Sequence, residues 1–136
     1  MSSPFFSLDT NKLMHILNGN KKLGYNIGVW NCRRSVEDKL ENIKALLNKH
    51  NLHILGLVET DLHGEKSRIW RNKPLTTEEI MRNLKIENYK IILPQSWYTH
   101  QQARVIVYVK DDVKFKISEI SKTSDELPSI SGEISI

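Results

Sequence analysis

The chain has 136 residues, of which 39% are hydrophobic, 7% aromatic and 26% charged, and its formal net charge is +4. That is enough for one ordinary core and too little for two, and the balance excludes wholesale disorder. No stretch reaches the run of about 20 apolar residues that a membrane-spanning helix requires, and the single cysteine, Cys32, excludes an internal disulfide and a multi-cysteine zinc site.

Residues 1–22 are rich in Asn, Ser and Lys and have no sustained hydrophobic period, so they predict a mobile leader. They lack the basic opening and apolar stretch of a signal peptide. With the lone cysteine this points to an intracellular protein, nuclear or cytoplasmic, with no membrane partner. The 20 basic residues against 16 acidic ones give a weak bias toward a polyanion.

From Leu23 to Trp30 the run LGYNIGVW suits a strand buried on both faces, ending at Asn31. Ser35 to His50 then spaces Val36, Leu40, Ile43 and Leu47 at helical intervals among charged residues. Ser35 is a suitable N-cap with Asp38 three residues on, and Lys49 and His50 in the last turn suit the helix dipole. The next run, LHILGLVE, predicts a second buried strand ending at Glu59. Strand, helix and strand with short connections make a βαβ unit and an α/β fold, in which the two strands are parallel or adjacent. Both strands deliver a polar residue at their carboxyl ends, the edge where open α/β sheets bind ligands.

His63 to Lys73 is a polar, basic stretch that predicts a loop or a short turn of helix, and Thr76 to Leu84 a helix capped by Thr76 or Thr77 with Glu78 and Glu79 in its first turn. Tyr89 to Leu93 predicts a strand closed by Pro94, and Gln95 to Gln102 a polar loop. Ala103 to Val109 and Val113 to Ile120 alternate on either side of Lys110, Asp111 and Asp112, which predicts a hairpin. Lys122 to Pro128 reads as a loop and Ile130 to Ile136 as the start of one more strand, a pattern expected of a fragment cut within a larger fold.

Asn31 and Glu59 are the strongest candidates for chemistry. A carboxylate is the hard oxygen ligand that Mg²⁺ prefers, and an amide can bond a phosphate oxygen without adding negative charge. The plainer alternative is that both simply cap strand ends. Lys66, Arg68, Arg71 and Lys73 around Trp70, and the loop holding Trp97 and Tyr98, could grip phosphates and stack on bases, or could be solvated cations and packed rings. The five histidines read as surface or structural residues, and Cys32 as a small packing residue without an activating partner.

The combination NIGVWN, an amphipathic helix, then ILGLVET resembles the opening of the endonuclease/exonuclease/phosphatase family. That group includes abasic-site repair endonucleases, pancreatic deoxyribonuclease and the endonucleases of non-LTR retrotransposons. YKIILPQSW followed by ARVIVYVKDDV resembles the retrotransposon members in particular, and the likeness runs from Tyr25 to Ile136. It departs from the family pattern at Val58, where a glutamine is usual, and at Ala103, Arg104 and Val105, where a small Gly-Val-Ala is common.

The resemblance implies that Asn31 is the family's first catalytic asparagine and Glu59 its metal-binding glutamate, with Mg²⁺ or Mn²⁺ as cofactor. Arg33, Lys66, Arg68, Arg71, Trp97, Tyr98 and Arg104 become candidates for nucleic-acid contact. It further implies a partial domain over residues 23–136, the amino-terminal half of a four-layer α/β/β/α sandwich with mixed, largely antiparallel sheets. The family's "DxN" and "SDH" motifs, including the general-base histidine, would lie beyond Ile136, in a carboxyl-terminal half supplied in cis.

The implied activity is metal-dependent cleavage of DNA phosphodiesters, as in target-site nicking by a retroelement, with this stretch inactive alone. A half-sandwich would also leave the inner face of its sheet exposed. Two alternatives stay open: a phosphatase or lipid phosphodiesterase of the same superfamily, and a non-catalytic module that binds nucleic acid or another partner.

Overall fold

The structure, a computed structural model, describes residues 5–9, 15–17, 26–65, 76–120 and 129–135, with side chains for 26–65 and 76–114. Its strands are β1 (Phe5–Asp9), β2 (His15–Leu17), β3 (Ile27–Asn31), β4 (Ile54–His63), β5 (Tyr89–Ile92), β6 (Gln102–Lys110), β7 (Lys114–Ile120) and β8 (Ser129–Ser135). A 3₁₀ turn, Val36–Lys39, leads into α1 (Leu40–Lys49), and α2 (Thr77–Leu84) and α3 (Gln95–His100) complete the helices.

A mixed sheet with helices packed on it makes this an α/β protein. Five strands lie in the order β2-β3-β4-β6-β5 and three in the order β1-β8-β7. The β3–β4 pair is parallel, as the βαβ pattern predicts, and the other pairs are antiparallel. Alternation sorts the large sheet into two apolar faces. Leu55, Leu57, Ile106 and Tyr108 pack with Ile43, Leu47, Ile80 and Leu84 of the helices. Ile54, Val58, Val105, Val107 and Val109 form the opposite face, each 0% exposed.

That second face differs from the expectation of an uncovered sheet. The three-stranded sheet lies over it, β1 against β4 and β8 against β6. Residues 1–22 are likewise not simply a leader. They contain β1, bonded to β8, and β2, bonded to β3. Strands of five and three residues are too short to carry a hydrophobic period that sequence inspection can detect.

Lys110, Asp111 and Asp112 do not close a β6–β7 hairpin. Both edges of β6 are already bonded, to β4 and β5, so no edge remains for β7, which pairs with β8. The turn instead carries the chain from one sheet to the other, with Val113 N donating to Lys110 O at 2.9 Å. Gln95–His100 is a short helix rather than a loop. Burial of Trp97 to 2% exposure outweighs the polar character of its neighbours.

The helix starts divide in the same way. Thr76 caps α2 as expected, its hydroxyl accepting from Glu79 N at 3.2 Å. Ser35 does not cap the first helix, because it sits in the left-handed region at φ 54° and makes no side-chain capping bond. A capping hydroxyl needs extended backbone at its own residue to face the free amides.

Candidate functional site

The site begins where the parallel pair ends. Asn31 stands opposite Val58, and the pairing runs on past the strand, with Cys32 N donating to Val58 O at 2.9 Å and Arg34 N to Glu59 O at 2.7 Å. The loop after β3 is thereby fastened to the backbone of Glu59 itself. Arg33, Arg34 and Ser35 all have positive φ, at 52°, 73° and 54°. Left-handed backbone costs a non-glycine residue about 1–2 kcal/mol, so three in succession need support. Asn31 Oδ1 accepts from Arg33 N at 2.8 Å. The Lys39 ammonium donates to the carbonyls of Cys32, Arg33 and Arg34, the last two at 3.2 and 2.8 Å.

Across the junction β4 is irregular. Its register against β6 shifts between Val58 and Leu62, and Glu59 and Asp61 have φ 52° and 48°. This bulge re-aims the side chains at a sheet edge. Thr60 at its centre is fully buried and donates its hydroxyl proton to Ala103 O at 2.8 Å. With Thr60 pinned, Glu59, Asp61 and His63 line one pocket of about 380 Å³ together with Arg34 and Arg104. Asp61 Oδ1 lies 3.2 Å from His63 Nε2.

Chemically the pocket is lined by two carboxylate and two guanidinium residues. Such a set can hold a hard divalent cation and a phosphate together. Among the described residues no group of three or more His, Cys, Asp or Glu side chains is arranged to ligate a metal. Mg²⁺ makes no such demand, since it keeps several waters and binds through one or two carboxylates. Glu59 and Asp61 thus bring to the pocket the hard oxygen donors that such an ion takes, and do not form a closed zinc site.

No family model, curated protein or solved structure matches this chain. Placement of the candidate residues rests on the geometry. Glu59 and Arg104 share the pocket, whereas Asn31 does not line it and its side chain accepts from Arg33 N. Arg33 is exposed on that loop and Tyr98 is exposed on α3. Trp97 is corrected: it packs in the core and offers no ring face to a base. Lys66, Arg68, Arg71 and Lys73, with Trp70, lie outside the described residues.

Sequence reasoning missed Arg34, Asp61 and His63. The bulge between Val58 and Leu62 and the left-handed loop at residues 33–35 place them, and neither leaves a periodic signal in the sequence. Val58 lies on the buried inter-sheet face with Ile54 and Val105 and does not line this pocket. Cys32 is buried as expected, and burial pushes its thiol up to about 12 despite the nearby Lys39.

Proposed function

We propose that this chain carries the metal-holding and phosphate-orienting part of a divalent-metal-dependent phosphodiesterase acting on DNA, of the endonuclease/exonuclease/phosphatase type. The observation that carries the proposal is the convergence of Glu59, Asp61, Arg34 and Arg104 on one pocket at the carboxyl end of the parallel β3–β4 pair. The two stacked sheets with helices on the outer face of the larger one are compatible with the sandwich that this family builds.

Glu59 and Asp61 would hold the Mg²⁺, which when bound supplies a Lewis acid to the phosphodiester and charge stabilisation to the leaving oxygen. Arg34 and Arg104 face the same space and neutralise the phosphate. Asn31 acts through the loop, holding Arg33 N and so the turn that presents Arg34. His63 is the one histidine lining the pocket among the described residues, and its Nε2 lies 3.2 Å from Asp61 Oδ1.

Two expectations follow for the isolated chain. Mg²⁺ strengthens its binding to duplex DNA, measured by fluorescence anisotropy at fixed ionic strength, and Glu59→Gln abolishes that increment. Plasmid nicking is negligible. DNA binding that is salt-dependent but indifferent to Mg²⁺ and to Glu59→Ala would mark a non-catalytic binding module instead. Robust Mg²⁺-dependent nicking that disappears in Glu59→Ala would show that the general base is already present in this chain.

A further inference from the structure

The loop that presents Arg34 is held by a side chain that does not itself line the pocket. Lys39 ends the 3₁₀ turn, and its ammonium reaches back to three successive carbonyls, those of Cys32, Arg33 and Arg34. An ammonium has three protons to donate, and here the loop supplies an acceptor for each. These carbonyls belong to the segment whose residues 33, 34 and 35 are left-handed. Without a cation at their centre, three carbonyl dipoles would converge unopposed and the strained turn would relax toward ordinary φ values.

The turn is also tied to the site by Arg33 N donating to Asn31 Oδ1 at 2.8 Å and by Arg34 N donating to Glu59 O at 2.7 Å. Lys39 thus supports the loop from one side and the backbone of Glu59 from the other. The guanidinium of Arg34 emerges between them into the pocket that Glu59, Asp61 and Arg104 also line.

From this we infer that Lys39 is a positioning residue, a half-buried cation that locks the left-handed 33–35 turn and thereby aims Arg34 at a phosphate held beside Glu59. The inference rests on the proposed phosphodiesterase site for its ligand, though not for its geometry. Lys39 does not line the pocket, so its effect on binding passes through Arg34.

The test uses the full chain and two readouts. Amide hydrogen exchange at Arg34 reports the turn directly, with Ile43 and Leu47 in α1 as controls for global folding. Lys39→Met is expected to speed exchange at Arg34 while Ile43 and Leu47 stay protected. Lys39→Gln, which can restore part of the donor set, should fall between. Unchanged exchange at Arg34 in a folded Lys39 variant would overturn the inference.

The second readout is a double-mutant cycle with a short DNA duplex in Mg²⁺. Lys39→Met and Arg34→Ala should each weaken binding by about tenfold, and the double variant should lose little beyond either alone. Additive losses would mean that Lys39 meets the phosphate itself or acts elsewhere, and would overturn its role through Arg34. Faster exchange at Arg34 together with no duplex binding by the wild-type chain would leave the lock standing and remove the phosphodiesterase reading beneath it.

Discussion

At residue 59 a regular strand would continue to alternate between the helix face and the inter-sheet face, and both are apolar here. The positive φ of Glu59 and Asp61 breaks that alternation, and burial of Thr60 against Ala103 O holds the break in place. Two carboxylates thus reach one pocket, where a straight strand offers each of them a hydrophobic layer. The neighbouring Cys32 shows the opposite use of burial. Its thiol, ordinarily near 9.0, is pushed up to about 12 by desolvation. It should therefore resist iodoacetamide in the folded chain at pH 8 and react at once in denaturant, followed by mass spectrometry. Because the folded value is the higher one, the unfolded chain releases this proton first. The stability contribution is full below about pH 9 and declines as pH rises toward 12. Rapid alkylation of the native protein would contradict this placement. The positions of Asn31 and Glu59, at the ends of apolar runs, were legible from the sequence. Arg34 and Asp61 were not, because the left-handed loop and the bulge are fixed by tertiary bonds, the Thr60 contact alone spanning 43 positions.

Among the elements, β6 organises the rest. It lies between β4 and β5, and its Tyr108 is fully buried on the helix face, where the hydroxyl donates to Leu84 O at the end of α2. That bond satisfies one of the carbonyls that a helix end leaves without an internal partner. Burial raises the Tyr108 pKa, which keeps the phenol protonated as a donor throughout the neutral range. Tyr108→Phe leaves the carbonyl buried without this partner and should cost about 1–3 kcal/mol in urea denaturation. A loss below a few tenths of a kcal/mol would mean that the hydroxyl does not tie α2 to the sheet. The same strand explains the misread hairpin: alternation on both sides of a turn reveals two strands but not which strands are still available as partners. Periodicity did reveal α1 and α2, whose apolar residues Ile43, Leu47, Ile80 and Leu84 are all in the core. The α2 cap was legible because it depends on residues three apart. The start of α1 was not, because its approach is set by Lys39 and by the backbone of Glu59.

For the molecule as a whole, one chain covers both faces of its principal sheet. Helices bury one side, and the β1-β8-β7 sheet lies over the valine-rich other side. Each Val or Ile buried there contributes roughly 1.5–3 kcal/mol of transfer free energy, which gives the chain a second apolar layer that the sequence left unassigned. Hydropathy displayed the continuous apolar runs of β3 and β4 but not what packs upon them, since the covering strands are short or distant in sequence. No helix among the described residues is long and apolar enough to cross a membrane. The parallel β3–β4 pair ends at Asn31 and Val58, and Glu59 carries the chain from there into the pocket. On the proposed function this edge holds a divalent cation, which Mn²⁺ titration followed by paramagnetic broadening of backbone amide resonances would locate. Substoichiometric Mn²⁺ should broaden Arg34, Glu59 and Asp61 first, spare Ile43 and Leu47 in α1, and lose this selectivity in Glu59→Gln. Broadening centred elsewhere, or unchanged by Glu59→Gln, would contradict the account.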